Sequence, residues 1–216
     1  MIIGYLIGSF SWAVIISKKF KNEDVRIHGS GNAGATNTLR NYGKKIAILV
    51  LFLDMAKTII AVIIAWSIKR YAGNPWNGGI IQLAGVAAII GHVYPLFFKF
   101  KGGKGSASLV GLFIISNWLL FFIGLLTFFA IALKSRKVSL GSLTTPIVLI
   151  LLYVAFVFTP GMNSTWDSPL TYNTTWWITL SCLVAGWLIT VFTHRGNIQR
   201  LLNGTERTLD DKKNKA

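Results

Sequence analysis

Long apolar runs, separated by short polar or basic segments, make up most of the chain. A membrane-spanning helix needs roughly 20 mostly apolar residues, and runs of about this length or longer cover residues 1–17, 46–68, 78–98, 106–133, 140–159 and 174–193. The first run has no basic residue before it and no convincing small-residue cleavage site, so we expect a retained helix rather than a signal peptide. Gly4 and Gly8 give that helix a small-residue face for close packing.

The fourth run is too long for one crossing. As a single helix, residues 106–133 would rise about 42 Å, whereas the hydrocarbon core is roughly 30 Å thick. We therefore predict a break near Ser116 and Asn117, which leaves a short helix and a longer returning helix. The short helix could enter the bilayer without crossing it if protein surrounds it. One long tilted helix, with inverted topology downstream, is the alternative.

Lysine and arginine are unevenly distributed between the runs. Segment 18–45 has seven of them, segments 99–105 and 134–139 have three each, and the chain from residue 194 onwards has six, whereas segment 160–173 has none. Cytoplasmic loops of membrane proteins collect basic residues. The basic segments and the C-terminus are therefore predicted to be cytoplasmic, and the N-terminus is predicted to be outside.

These patterns predict an all-α polytopic integral membrane protein with seven membrane helices, one of them short enough to be re-entrant. Residues 1–207 would form one membrane domain and residues 208–216 a short charged cytoplasmic tail. Composition agrees, since 53% of the 216 residues are hydrophobic and only 13% are charged, against about 25% charged residues in an ordinary soluble domain. The single cysteine, Cys182, excludes an intrachain disulfide framework and a multi-cysteine zinc site.

The segment from Gly29 to Arg40 is rich in glycine, hydroxyl and amide groups and has no acidic residue. Glycines let backbone N–H groups approach an anion, Ser, Thr and Asn add donors, and the forked guanidinium of Arg40 suits phosphate. A helix is expected soon afterwards, and a helix N-terminus favours anions. The spacing of Gly29 and Gly34 is that of a P-loop, but Ala35 follows where a P-loop has lysine. A flexible loop is the alternative interpretation.

A second cluster follows the third apolar run. Residues 102–105 form a Gly-Gly-Lys-Gly loop, whose glycines could adopt the positive φ angles of an anion-binding nest. Lys104 would place a charge in that nest, and Ser106 could cap the next helix. A tight turn with solvated lysines is the alternative. His92, at the apolar end of the preceding helix, is more typical of a structural histidine than of a catalytic one.

The last cluster, residues 194–207, begins where the final run ends. His194, Asn197 and Leu201 would share one face if a helix continued there. The alternative is a basic tail that rests on anionic lipid head groups.

Two further pairs of polar residues are three positions apart. Asp54 and Lys57 lie inside the second run, and ionisable groups at such depth are paired or functional. Mutual neutralisation that holds the helix in register is favoured over direct contact with a substrate. Ser139 and Ser142, taken alone, indicate a helix N-cap and a solvated turn.

Three separated segments thus fall on the predicted cytoplasmic side, and together they predict a pocket for one or more phosphates at the edge of a bilayer. The formal net charge of +15 suits anionic substrates and anionic lipids alike, whereas nucleic acid fits poorly because no recognised binding module is present. An anion transporter would place polar clusters at mid-membrane between internal repeats, and we find no such repeat. A non-catalytic lipid-binding scaffold would not need three glycine-rich loops.

Three long motifs carry a resemblance to a known family. They are Gly-Ser-Gly-Asn-x-Gly-Ala-Thr-Asn at 29–37, Gly-His-x-x-Pro followed by Phe-Lys-Gly-Gly-Lys-Gly at 91–105, and His-Arg-x-Asn-Ile-x-Arg-Leu-Leu-x-Gly-x-Glu at 194–206. In this order and spacing they resemble the signature motifs of the PlsY family, the bacterial acyl-phosphate:glycerol-3-phosphate acyltransferases. Asp54-x-x-Lys57 is similar to another recurring pattern of that family.

The resemblance implies an active site at the cytoplasmic face of the bacterial plasma (inner) membrane. The implied reaction moves an acyl group from acyl phosphate to the 1-hydroxyl of glycerol 3-phosphate and gives lysophosphatidic acid and inorganic phosphate, a step of phospholipid biosynthesis. No metal, cofactor or acyl-CoA is implied. Glycerol 3-phosphate, acyl phosphate and membrane lipids are the expected partners, and the oligomeric state stays open.

Carried over by position, the resemblance also implies site residues. The implied catalytic residues are Ser30, Arg40, Lys104, His194 and Asn197. The implied substrate- and phosphate-binding residues are Gly29, Gly31, Asn32, Gly34, Thr36, Asn37, Gly102, Gly103, Gly105 and Ser142. Supporting structural roles are implied for Asp54, Lys57, His92 and Glu206.

The chemistry of such a reaction agrees with these residue types. Acyl phosphate is an activated mixed anhydride, so the protein needs no nucleophile of its own; it must position two anions and stabilise developing charge. The chain lacks the His-x-x-x-x-Asp motif of other membrane glycerol-phosphate acyltransferases, and no general base is evident. We expect the phosphate of a substrate to take the hydroxyl proton, with His194 as the second candidate.

Overall fold

The computed structural model describes residues 1–71, 80–159 and 176–208. Its α-helices are, in chain order, α1 (Ile2–Gly8), α2 (Trp12–Lys21), α3 (Ala35–Tyr42), α4 (Lys44–Tyr71), α5 (Ile80–Val93), α6 (Ser106–Ser116), α7 (Trp118–Ser135), α8 (Val138–Val157), α9 (Trp176–Thr193) and α10 (Arg195–Leu202). The predicted loop 160–173, which has no lysine or arginine, and all but the first residue of the predicted tail 208–216 lie outside the described residues.

The apolar runs form helices of membrane-spanning length, as predicted. Six stretches are long and apolar enough to cross a bilayer, namely Ile2–Lys21, Lys44–Tyr71, Ile81–Phe98, Trp118–Ser135, Val138–Val157 and Trp176–Thr193. Helix α6 is also apolar, but its 11 residues rise only about 16 Å, which is too short to span. The all-helical class is confirmed, and the number of crossings and their orientation stay predictions.

The first apolar run is not one continuous helix, and that expectation was wrong. The chain leaves helical geometry between α1 and α2, at residues 9–11. The break frees the backbone carbonyl of Phe10, which accepts a hydrogen bond from Lys57 Nζ of α4 at 3.0 Å. A buried cation therefore satisfies the carbonyl that the broken helix would otherwise leave without a partner.

The small-residue face of α1 packs closely against α5, as the sequence predicts. A Cβ atom on Gly4 would lie only 3.1 Å from Cα of Ala84, and a Cβ on Gly8 would lie 2.6 Å from Cα of Ala88. Each Cβ would also collide with a backbone carbonyl oxygen of α5, that of Ala84 or of Ala88, so only glycine allows the two helices to approach this closely.

The long run 106–133 breaks where the sequence indicates. Asn117 is extended (φ −159°, ψ 115°) between α6 and α7, and its side chain accepts a hydrogen bond from the N–H of Leu120 at 3.0 Å. Asn117 thus acts as the N-cap of α7 and satisfies one of the donors at the start of that helix.

The helix expected after the first glycine-rich segment begins inside it, since α3 starts at Ala35 after the extended residue Gly34. One local expectation at the second loop was wrong. Ser106 does not cap α6; the capping position belongs to Gly105, whose φ of 88° is in the left-handed region that glycine adopts without strain.

Helix α6 lies at the centre of the fold, packed against α4, α5, α7 and α9. Leu109 and Leu112 of α6 are buried with Ile89 of α5 and Leu183 of α9 in the main apolar core. Gly186 of α9 permits this approach, since a Cβ there would lie 2.8 Å from Cδ1 of Leu109. Burial of α6 determines where its N-terminus, and the loop before it, must lie.

Candidate active site

A cavity of about 760 Å³ lies between α3, α4, α6, α7, α8 and α10. The part that we call the polar chamber is lined by Ser30, Asn32, Thr36, Arg40, Lys104, Ser139, Ser142, His194, Asn197, Arg200, Glu206 and Arg207. The part that we call the apolar arm is lined by Ile48, Leu51, Phe52, Met55, Ile59, Leu109, Val110, Phe113, Ile114, Phe121, Leu125, Phe128, Phe129, Pro146 and Leu149. The chamber residues are near helix ends and in loops, and the arm residues are farther along the helices.

The two glycine-rich loops are fastened to each other beside the chamber. The N–H of Ala33 donates to the carbonyl of Gly102 at 3.3 Å. Arg26, which the sequence analysis did not single out, donates through one guanidinium nitrogen to the carbonyls of Phe98 and Lys101 at 2.9 Å each. Asp24 pairs with the other side of that guanidinium at 2.7 Å. A forked cation thus ties the first loop to the second.

Asn37 organises the first loop from within. Its side-chain oxygen accepts from the N–H of Ser30 at 2.9 Å, and its side-chain nitrogen donates to the carbonyls of Val25 at 2.9 Å and His28 at 3.1 Å. Asn37 is buried, and its amide is already used by the protein itself. Asn37, which the sequence predicts to bind phosphate, instead stabilises the conformation of the loop through these hydrogen bonds.

The glycines of the Gly-Gly-Lys-Gly loop are needed for two different reasons. Gly105 has a positive φ, as expected, but Gly102 and Gly103 do not, so the predicted nest of positive φ angles was wrong at those two positions. A Cβ on Gly102 would lie 2.8 Å from the carbonyl oxygen of Val93, and a Cβ on Gly103 would collide with the ring of His92. These two glycines allow the loop to pack against the end of α5.

A buried charged cluster lies beneath this loop. Asp54 and Lys57 form the predicted ion pair, with Oδ1 and Nζ 3.0 Å apart. Nζ of Lys57 is also 2.7 Å from Nδ1 of His92, which itself lies 3.3 Å from the Asp54 carboxylate. The backbone carbonyl of His92 accepts from the N–H of Gly103 at 3.0 Å. The cluster therefore connects α4, α5 and the loop that carries Lys104.

Lys104 and the C-terminal segment meet in the polar chamber. Nζ of Lys104 donates to the side-chain oxygen of Asn197. The Asn197 nitrogen donates to Oγ of Ser139 at 2.8 Å and to Oε1 of Glu206 at 2.6 Å, and Nε of Arg200 donates to Oε2 of Glu206 at 2.9 Å. One chain of hydrogen bonds thus joins the second loop, α8 and α10.

The surroundings of this network shift the pKa values of Lys104 and Glu206. Burial is the main cause that lowers the pKa of Lys104 to about 8, opposed by the Glu206 carboxylate and reinforced by Arg200, Arg40 and Arg207. Burial alone would raise the pKa of Glu206, but hydrogen bonds from its neighbours outweigh it and hold that pKa below its usual value. Glu206 is therefore an anion at neutral pH, and Lys104 is a cation that titrates close to neutrality.

His194 lies at the junction of α9 and α10. Its Nδ1 donates to the carbonyl of Thr190 at 2.7 Å, so Nε2 keeps the lone pair in the neutral ring. Burial, together with the charge of Lys104, lowers the pKa of His194 to about 4. At neutral pH the ring is uncharged, and it contributes a weakly basic acceptor to the chamber.

The cavity unites most of the residues that the sequence analysis proposed. It is lined by Gly29, Ser30, Asn32, Gly34, Thr36, Asn37, Arg40, Asp54, His92, Lys104, Gly105, Ser142, His194, Asn197 and Glu206. Four of the proposed residues do not line it, namely Gly31, Lys57, Gly102 and Gly103.

Sequence reasoning missed several residues of the site. Ser139, interpreted as a helix cap, contacts Asn197 and Glu206 in the chamber, and Lys137 holds the capping position of α8. Arg200 and Arg207 were not distinguished from a basic tail, although Arg200 lies three residues after Asn197, on the same face of one helix. The apolar arm carries no signal in the sequence, because its residues resemble every other apolar helix face.

Comparison with known proteins identifies the class to which this fold and cavity belong. The chain matches the family model described as glycerol-3-phosphate acyltransferase over residues 1–204. It is 39% identical to the glycerol-3-phosphate acyltransferase of Mycoplasma mobile, over 97% of this chain and 90% of that protein. It is 41% identical to the protein of that name from Halalkalibacterium halodurans, over 99% and 96%.

Two crystal structures of PlsY (YgiH), an integral membrane glycerol 3-phosphate acyltransferase, share the fold. The glycerol 3-phosphate form superposes with a TM-score of 0.76 at 36% identity, and the match covers 96% of this chain and 92% of that one. The lysophosphatidic acid form superposes with the same TM-score at 32% identity. The chain therefore belongs to the glycerol-3-phosphate acyltransferase family, and it is an integral membrane acyltransferase of phospholipid biosynthesis.

Proposed function

We propose that this protein transfers the acyl group of an acyl phosphate to the 1-hydroxyl of glycerol 3-phosphate, with lysophosphatidic acid and inorganic phosphate as products. The observation that carries the proposal is the union of the polar chamber and the apolar arm in one cavity. An acyl phosphate has a charged head and a long alkyl chain, and this cavity offers each of them matching surroundings. Glycerol 3-phosphate, the acceptor, is small and has only hydroxyl and phosphate groups, so it needs only the polar chamber.

The chamber has separate groups for two phosphates. Ser30, Asn32 and Thr36 lie around the N-terminus of α3, where free N–H groups and the helix dipole favour an anion. Arg40 and Lys104 supply the cations, and we assign the acceptor phosphate to Lys104, His194 and Asn197, with Ser142 nearby. Two anionic reactants are brought together in this way, despite their mutual repulsion.

The reaction needs no covalent intermediate with the protein. The hydroxyl oxygen attacks the carbonyl carbon of the acyl phosphate, and the bond from that carbon to the phosphate oxygen breaks as phosphate leaves with the electron pair. Lys104 and Arg40 would stabilise the charge that develops on the carbonyl oxygen and on the departing phosphate. Removal of one such charge-stabilising group commonly costs a factor of about 100 to 1,000 in rate.

The hydroxyl proton is assigned to a phosphate oxygen of a substrate. A phosphate monoester has a second pKa of about 6 in water, whereas burial lowers the pKa of His194 to about 4. A phosphate oxygen is therefore the better candidate for the proton. His194 Nε2, the ring nitrogen with the lone pair, would accept a hydrogen bond from the 2-hydroxyl of glycerol 3-phosphate and so orient the acceptor.

The chamber is assigned to the cytoplasmic face of the bacterial plasma membrane. Lysines 18, 19 and 21 at the end of α2, and Lys44 and Lys45 at the start of α4, are close in the chain to the loop that forms the chamber. Basic residues at the ends of membrane helices collect on the cytoplasmic side. This orientation also gives the site direct access to soluble glycerol 3-phosphate.

The proposal is tested with the purified protein in detergent. Palmitoyl phosphate and glycerol 3-phosphate are supplied together, and inorganic phosphate and lysophosphatidic acid are both quantified; stoichiometric formation of the two supports the proposal. Palmitoyl-CoA replaces the acyl phosphate in a parallel reaction. Turnover with the CoA ester and none with acyl phosphate would overturn the proposed donor, while the family assignment would stand.

A further inference from the structure

The lining of the apolar arm stops short of the far end of each of the four helices that contribute to it. Within the described residues, its lining stops at Ile59 on α4, Ile114 on α6, Phe121 on α7 and Leu149 on α8. Leu149 is only 4% exposed and belongs to the main apolar core. Leu149 therefore closes the arm on the side of α8, where packed neighbours leave it little room to move.

The sides of the arm are different from its end. Ile48 and Phe52 on α4, and Leu125 and Phe129 on α7, line the arm and are also exposed at the surface of the protein. A chain in the arm could therefore spread sideways between α4 and α7. The far end has no such freedom, so the arm limits the length of its occupant more strictly than its width.

The depth of the arm can be measured along α8. Ser142 lines the polar chamber and Leu149 lines the far end, and the seven-residue step from one to the other along α8 rises about 10 Å. The arm therefore accepts an alkyl chain of limited length before the chain meets Leu149.

Leu149 is held in place by its contact with Gly124. A Cβ built on Gly124 of α7 would lie 2.7 Å from Cδ1 of Leu149 and 3.5 Å from Cδ2 and Cγ. Leu149 thus occupies the space that any side chain at position 124 would need. Since both residues line the cavity, a larger residue at 124 must intrude into the end of the arm or push Leu149 into it.

We propose that Gly124 and Leu149 set the maximum length of the acyl chain that this protein transfers. The proposal rests on the proposed function, because it assumes that the arm holds the acyl chain of the donor. A chain longer than the arm must either displace Leu149 from the core or leave the arm sideways between α4 and α7. In a close-packed pocket, a single methylene changes the specificity constant by roughly tenfold or more.

The test compares Gly124→Ala, Leu149→Ala and wild type on decanoyl phosphate and palmitoyl phosphate. Leu151→Ala is the matched control, because Leu151 lies on the same helix, is 65% exposed and does not line the cavity. The readout is the ratio of kcat/KM for the palmitoyl donor to kcat/KM for the decanoyl donor. This ratio does not change if a variant merely reduces the folded fraction of the protein.

Gly124→Ala is expected to lower the ratio by about tenfold or more, and Leu149→Ala to raise it by a similar factor. Leu151→Ala should leave it within about twofold of wild type. Unchanged ratios in both cavity variants would overturn the inference and leave the proposed function intact. If wild type turned over neither acyl phosphate, the proposed function itself would fail.

Discussion

The ammonium group of Lys104 donates a hydrogen bond to the side-chain oxygen of Asn197, although the two residues are 93 positions apart. The backbone carbonyl of Lys104 accepts a further bond from Oγ1 of Thr193, at 2.8 Å. The loop before α6 and the helix after α9 are therefore held together at the wall of the polar chamber, and Lys104 is oriented before any substrate binds.

Replacement of a chamber cation should cost most of the activity. Lys104→Ala and Arg40→Ala are each expected to reduce kcat/KM for glycerol 3-phosphate by at least about 100-fold, equivalent to about 2.7 kcal/mol, because each removes a charge that faces an anion. Lys99→Ala, at an exposed position that does not line the cavity, serves as the control and should stay near wild type. Near-normal activity of both chamber variants would contradict the assigned roles.

The activity should decline in mildly alkaline solution. Burial lowers the pKa of Lys104 to about 8, so the free enzyme loses this positive charge as the pH rises through that value. Because the charged form is the one that binds phosphate, kcat/KM should reach a plateau below about pH 7, fall to half of it at about pH 8 and keep falling above that value. Lys104→Arg keeps its charge throughout this range, and any activity it retains should lack the decline. If Lys104→Arg showed the same decline of kcat/KM, the decline would be due to the titration of a group other than Lys104.

His194→Gln should retain much of the catalytic rate. If a substrate phosphate takes the proton, loss of the imidazole removes one oriented hydrogen bond, and kcat is expected to fall by no more than roughly tenfold. Removal of a true general base commonly costs a factor of about 100 to 10,000. The measurement is kcat at saturating concentrations of both substrates across the pH range. A loss of kcat by a factor of about 100 to 10,000, together with a changed acidic limb of the pH profile of kcat, would identify His194 as the general base.

Arg26 should affect substrate binding although it does not line the cavity. Arg26→Ala removes the two hydrogen bonds to the carbonyls of Phe98 and Lys101, and hydrogen bonds from a charged group are worth about 1.5–3 kcal/mol each. With the two loops no longer fastened, KM for glycerol 3-phosphate should rise about tenfold or more, with a smaller change in kcat.

Two matched variants separate this positioning effect of Arg26 from a general effect of charge. Arg26→Lys keeps the charge but lacks the fork that reaches both carbonyls and Asp24, so it should rescue KM only in part. Lys19→Ala removes an exposed cation from the end of α2 and should change nothing. Full rescue by lysine would indicate that the charge, and not the fastening of the loops, matters.

The sequence alone determined the parts of this protein that depend on local pattern. Apolar runs of sufficient length must form helices in a bilayer, because no other element satisfies its own backbone there. The break near Ser116 and Asn117 was predicted from the length of the run, and the structure has Asn117 as the N-cap of α7. Glycine, hydroxyl and cationic residues in three clusters indicated phosphate chemistry, and the family assignment agrees with it.

Only the tertiary structure decided which of these residues meet and in what role. Asn37 and Gly103 belong to a phosphate-binding pattern in the sequence. In the fold, however, the Asn37 amide hydrogen-bonds to the loop backbone, and Gly103 packs against the ring of His92. The break between α1 and α2 depends on Lys57, which lies 47 residues away from Phe10. The apolar arm exists because side chains of four helices leave a space between them. Contacts of this kind join residues far apart in the chain, and no local pattern encodes them.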